Sequence, residues 1–170
     1  GFKQAILQQI ESETAKGKKG RIFIKVNSMT DPDVIRKLSE ASEAGVKIRM
    51  IVRGICCLLP GVSKRTENIH IVNVVGRYLE HSRVYIFGSG KKERMYISSA
   101  DLMTRNTEKR VELAFPVIDP KVRGRIKNTL LLNYMDNVKG RRLDSEGCYR
   151  RKDVKGEPVN SQQRLMEEQI

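Results

Sequence analysis

The stretch Arg77-Tyr78-Leu79-Glu80-His81-Ser82-Arg83-Val84-Tyr85-Ile86-Phe87-Gly88 sets a histidine two residues before an arginine, at the entrance to an apolar run. Alternate residues of a strand point to the same side, so the His81 imidazole and the Arg83 guanidinium share a face. Ten residues after Arg83 a second strand pattern begins, Glu93-Arg94-Met95-Tyr96-Ile97-Ser98-Ser99-Ala100-Asp101, and it ends in small hydroxyl residues. A histidine and a cation at alternate positions, followed by a strand ending in serines, read as phosphate chemistry: guanidinium grips phosphate oxygens and imidazole moves protons.

Upstream, the periodicity predicts a helix over residues 2–16, with Phe2, Ala5, Ile6, Gln9 and Ile10 at helical spacing, broken by Gly17-Lys18-Lys19-Gly20. Arg21-Ile22-Phe23-Ile24-Lys25-Val26-Asn27 reads as a strand. Asp31-Pro32 supplies an N-cap and an N1 proline for a helix whose inward stripe is Val34, Ile35, Leu38, Ala41 and Ser42, ended by Gly45. Residues 46–53 form the next strand, so strand, helix and strand make a right-handed parallel crossover. A Pro60-Gly61 turn precedes a strand over 68–75. The strands at 83–88 and 94–100 form a hairpin through Ser89-Gly90-Lys91-Lys92. Residues 110–117 alternate as a strand with Val111, Leu113 and Phe115 on one face, and Asp119-Pro120 starts a helix to about Asn133. An edge strand is expected over 148–152 and a short helix capped by Asn160. No internal repeat is visible. The expected fold is a single α/β domain over 1–170, with a mixed, largely parallel sheet flanked by helices and a basic C-terminal extension over 139–170.

Thirty-three Lys and Arg stand against twenty Asp and Glu, leaving +13 and implying a polyanionic partner. The segment 139–155 alone carries seven basic against three acidic residues. No apolar run approaches a membrane span and no signal peptide is visible. The start at Gly1-Phe2-Lys3-Gln4, with no initiator Met, reads as an excised piece of a longer protein or as a tag scar. Cys56, Cys57 and Cys148 have neither disulfide nor zinc spacing and read as buried thiols of a reducing, cytoplasmic compartment, peripheral membrane association being left open.

Ligands of open α/β sheets bind beyond the carboxyl ends of parallel strands. Arg53 ends the second strand, with Gly54 after it to let backbone amides approach an anion, and Asn27-Ser28 holds the matching end of the first. By these residues alone, an exposed strand-end arginine explains Arg53 better than an anion contact does. Arg77, Arg83, Arg105 and Arg110 could converge on His81. Ser98, Ser99, Asp101 and Asn106 could offer short donors and acceptors, or merely cap a turn. His70, within Ile69-His70-Ile71-Val72, alternates outward and implies no chemistry. Walker, dinucleotide, HExxH and Gly-x-Ser-x-Gly motifs are absent.

Ile51-Val52-Arg53-Gly54-Ile55-Cys56-Cys57-Leu58, Val75-Gly76-Arg77-Tyr78-Leu79-Glu80-His81-Ser82-Arg83 and Tyr96-Ile97-Ser98-Ser99-Ala100-Asp101-Leu102-Met103-Thr104-Arg105-Asn106 resemble the C-terminal catalytic domain of the bacterial long-chain polyphosphate kinase family, over nearly the whole chain. The resemblance implies a phospholipase D-like fold and reversible transfer of the ATP terminal phosphate to inorganic polyphosphate through a phosphohistidine. That histidine would belong to a facing sister domain upstream, so the fragment alone would be nearly inactive. By resemblance Arg53 and His81 contact nucleotide and phosphate, His81 as acid–base partner, with Arg105 and Arg110 in support. Magnesium would arrive with ATP or ADP, no residue here serving as a metal ligand, and the full-length enzyme would be a homo-oligomer. The wider phospholipase D pattern is His-x-Lys-x4-Asp; Arg83 replaces its lysine and Gly88 its aspartate. That departure argues against a stand-alone phosphodiesterase. The charge alone suggests a nucleic-acid-binding module, against which stand the 5% aromatic content and the lack of a reading motif.

Overall fold

Two β-branched segments, β1 (Arg21–Val26) and β2 (Lys47–Val52), pair in parallel register from Arg21 opposite Lys47 to Val26 opposite Val52. They are joined by α2 (Pro32–Glu43), which starts where expected: the Asp31 carboxylate accepts from the amides of Asp33 and Val34. Gly45 follows its end at φ +91°, a conformation that a Cβ would strain. The computed structural model describes residues 1–152 and 156–168; the end of the basic stretch, 153–155, lies outside them.

The pair β1–β2 is the centre of an eight-stranded sheet. The other strands are β3 (Ile69–Val74), β4 (Val84–Phe87), β5 (Arg94–Ser98), β6 (Ala114–Pro116), β7 (Gly140–Leu143) and β8 (Tyr149–Arg151). Their spatial order is β6-β5-β4-β1-β2-β3-β7-β8. The sheet is mixed, as expected, but it is not largely parallel. Only β1–β2 and β2–β3 run parallel, and the remaining pairings are antiparallel. Connection length explains this: β4 to β5 and β7 to β8 are joined by loops too short for a crossover, which forces them antiparallel.

One face of the sheet is covered by α1 (Phe2–Thr14) and α2, whose Ile6, Ile10, Val34, Leu38 and Ala41 pack on Ile22, Ile24, Ile48 and Met50. The other is covered by α4 (Pro120–Met135), whose Leu130 joins Ile51, Val72, Ile86 and Met95, while Tyr134 meets Phe23 edge-on at 5.7 Å. A short α3 (Thr104–Glu108) follows β5, and α5 (Ser161–Glu167) ends the chain with Asn160 as its cap.

Two expectations change. The strand over 110–117 shrinks to β6, an edge strand with nothing over its outer face, and Val111, Leu113 and Phe115 stay exposed. Cys57 and Cys148 are exposed rather than buried, because they sit in the loop after β2 and in the β7–β8 turn; Cys56 is half-buried, and burial pushes its thiol up to about 11. No described helix is long and apolar enough to cross a membrane. Leu38 is fully buried between α1, α2 and the sheet. Leu38→Ala is expected to destabilise the chain by about 2–5 kcal/mol, read as a lower urea midpoint with an unchanged slope.

Candidate active site

The carboxyl ends of β1 and β2 and the amino end of β4 meet at one edge of the sheet, because β4 runs antiparallel beside β1. The buried Asp101 carboxylate gathers the chain there. Oδ1 accepts from the amides of Asn27 at 2.6 Å and Ser28 at 3.4 Å; Oδ2 accepts from Arg83 at 3.0 Å and from the Asn27 amide side chain at 3.4 Å. Burial pushes this carboxyl up, but Arg83 and the two backbone amides outweigh it and hold Asp101 below the usual carboxylate range.

From Asp101 the connections run both ways. Arg83 also reaches the His81 ring, its terminal nitrogen 3.4 Å from Nε2. Asn27 turns its carbonyl oxygen to Arg53 Nε at 3.0 Å. A polar row therefore runs Arg53, Asn27, Asp101, Arg83, His81. Two guanidiniums against one carboxylate leave it net positive, with the His81 side chain exposed to meet an anion. The order of the row follows from strand order: Arg53 directly follows β2, Asn27 directly follows β1, and the loop entering β4 carries His81 and Arg83.

The histidine is held by its neighbour. Glu80 points inward, where its Oε2 accepts from Lys25 Nζ at 2.6 Å and from Asn133 Nδ2 at 2.9 Å. Its Oε1 accepts from Gln162 Nε2 at 3.0 Å, and Gln162 also clasps the backbone of Tyr78 on both sides. Lys25 is 1% exposed, so the ion pair is buried. Burial pushes the Glu80 carboxyl up, but Lys25, Gln162 and Asn133 pull it net below its ordinary value. Loop 75–83 is thus pinned to β1, α4 and α5.

The residues singled out in the sequence divide. Arg53, His81, Arg83 and Asp101 come together. Arg105, on α3, and Arg110, in the loop after it, are exposed and make no hydrogen bond or ion pair to the row among the described residues; Arg77 lies over the Tyr78 ring instead. Ser99 and Asn106 both donate to Glu112, and Ser98 donates to the Leu113 carbonyl at 2.7 Å, so these short polar residues tie β5 to the segment before β6. Gly54 has a different reason from the one expected. Its amide donates to the Asn27 carbonyl at 2.7 Å, and a Cβ there would come within 2.9 Å of that oxygen. Lys25, Glu80 and Gln162 were not singled out; a lysine inside an apolar strand was the available signal. No group of three or more His, Cys, Asp or Glu suited to a metal ion occurs among the described residues, and both Asp101 oxygens are engaged.

Residues 1–163 match the family described as polyphosphate kinase C-terminal domain 2. The chain belongs to the polyphosphate kinase family. It is 48% identical over 169 residues to a polyphosphate kinase of Staphylococcus epidermidis, an alignment covering 99% of this chain and 23% of that protein. The crystal structure of polyphosphate kinase from Porphyromonas gingivalis superposes with a TM-score of 0.90 at 42% identity, covering 98% of this chain and 26% of the other. The chain thus spans about a quarter of the length of these polyphosphate kinases. A phospholipase D family member, Nuc from Salmonella typhimurium, matches with a TM-score of 0.60 at 18% identity over 83% of this chain and 90% of its own, which establishes a phospholipase D-like fold.

Two predictions follow from the buried carboxylates. Glu80→Ala leaves the Lys25 ammonium buried and unpaired, and is expected to cost about 3–5 kcal/mol in chemical denaturation; Lys25→Met with Glu80→Leu should recover most of it. Glu80 and Asp101 have folded values below their unfolded ones, near ~4.3 and ~3.9. Their contribution is therefore complete above those values and lost as pH falls through the lower folded values. A stability profile flat near neutrality and falling in acid is expected, less steeply for Asp101→Asn.

Proposed function

We propose that residues 1–170 serve as one C-terminal domain of a longer polyphosphate kinase, supplying half of the site that moves the terminal phosphate of ATP reversibly onto inorganic polyphosphate. The observation that carries the reading is the Arg53–Asn27–Asp101–Arg83–His81 row, within a chain that belongs to this family. Transfer would pass through a phosphohistidine of an upstream domain: the γ-phosphorus–oxygen bond of ATP breaks as a phosphorus–nitrogen bond forms, and that bond in turn yields to a terminal oxygen of polyphosphate.

In this scheme Arg53 grips the transferring phosphoryl group. Its Nε is turned to Asn27, which fixes the plane of the guanidinium and leaves its terminal nitrogens for phosphate oxygens. His81 serves as acid–base partner, donating a proton to the departing ADP oxygen and recovering it in the reverse direction. Arg83, held by Asp101, orients the imidazole and adds positive charge where phosphate charge accumulates. Arg105 and Arg110 join as supporting phosphate contacts when substrate and the sister domain bring α3 and the loop after it to the row. Magnesium enters with the nucleotide, and no residue of this chain is assigned to hold it. The full-length enzyme is read as a homo-oligomer.

His81→Ala in the full-length enzyme is expected to lower polyphosphate synthesis by roughly 10²–10⁴-fold; unchanged turnover would overturn its role. Calorimetry of Mg-ATP binding should show affinity lost on Arg53→Ala, while the isolated chain, lacking the phosphohistidine, should turn over little or no ATP. Equal binding by wild type and variant would remove Arg53 from the nucleotide site.

A further inference from the structure

A cavity of about 750 Å³ opens on the α4 face of the sheet, away from the His81 edge. It lies over β2, β3, β7 and β8, and its wall carries Arg49, His70, Arg142 and Lys152. Pairing explains the convergence. Arg49 is the register partner of His70, and Arg142 is the partner of Val72, one same-face position further along β3. Arg142 reaches back to His70 Nδ1 at 3.3 Å. Arg49 and Arg142, both exposed, have no carboxylate partner among the described residues. Asp144, on the same wall, is engaged by Arg150 at 2.5 Å and by the amides of the turn that follows it. Lys152 donates to the Tyr134 carbonyl.

This wall is positive enough to act on its own members. Burial, then Arg142 and Arg49, push the His70 imidazole below its ordinary value. Burial lowers the Lys152 ammonium as well, with Asp136 opposing and Arg142 adding to the shift. Arg49 and Arg142 stand two strands apart, about 10 Å between their backbones at ~4.8 Å per strand, with His70 on the strand between them. The Tyr134 ring on this wall offers no free face for a base to stack on, because Arg49 and Lys152 each lie 5.4 Å from its centre. A flexible anion with phosphates repeated along its length fits the trough. Arg49 on β2 also precedes Arg53, the residue just past the end of that strand, by four residues, roughly 13 Å at ~3.3 Å per residue, so the trough and the transfer edge adjoin one strand.

We infer that this trough is a second phosphate-binding subsite that holds a stretch of inorganic polyphosphate remote from its reacting end. The inference rests on the polyphosphate reading above and adds to it a site for the tail of the chain. Arg49 and Arg142 are its main contacts, His70 lies between them, and chain length becomes a determinant of affinity.

The test is equilibrium binding of tripolyphosphate and of long-chain polyphosphate to this chain, for wild type, for R49Q/R142Q and for K91Q/K92Q. The last removes the same two charges from exposed positions in the β4–β5 turn. R49Q/R142Q is expected to lose roughly tenfold or more in long-chain affinity while its tripolyphosphate affinity changes less than about twofold, and K91Q/K92Q should shift neither by more than about threefold. If R49Q/R142Q loses no more long-chain affinity than K91Q/K92Q, or loses both ligands alike, the subsite is overturned and the polyphosphate reading stands. Wild type that binds neither ligand overturns both.

Discussion

A lysine inside a β-sheet must find a carboxylate or lose its charge, and the Lys25–Glu80 pair meets that demand. Much else depends on it. Glu80 sits beside His81 in a loop with no regular structure of its own, so burying Glu80 against β1, α4 and α5 sets where the loop lies. The pair contributes little net stability by itself, because both groups are desolvated. Its value is positional: the alternative placements of the loop would strand an ammonium in the core.

The site then follows by electrostatics. Asp101 is buried at the sheet edge and draws in Asn27, Ser28 and Arg83. Gly88, which stands where the wider phospholipase D pattern has its carboxylate, therefore does not leave the row without one. A carboxylate arrives from the end of β5 and acts on the histidine through Arg83 rather than touching it directly. This arrangement keeps the edge positive overall.

Two of the positive surfaces are connected. The row at the carboxyl edge and the trough across β2, β3 and β7 lie on one sheet, about a strand length apart, while Asp33 and Glu40 of α2 pair with Arg36 and Lys37, and Glu93, just before β5, pairs with Arg123 and Lys127. The exposed Val111, Leu113 and Phe115 mark a different kind of surface, apolar and uncovered along the β6 edge.

Local sequence determined the helices at 2–14, 32–43 and 120–135 and the central strands, because caps, glycines and apolar periodicity act over a few residues. It also marked His81, Arg83 and Arg53 as groups suited to phosphate. It could not determine the direction of the outer strands, since a strand pattern is the same whichever way it is paired. Nor could it separate Arg53 and Arg83, which enter the row, from Arg105 and Arg110, which stay outside it, because an arginine's partners are set by which strands lie side by side. The same holds for His70. Alternation alone makes it an outward residue with nothing to do, and only the pairing of β3 with β2 and β7 places Arg49 and Arg142 on either side of it. Residue type and short-range pattern decided which groups are suited to a phosphate; strand order, which depends on contacts far apart in the chain, decided which of them lie together.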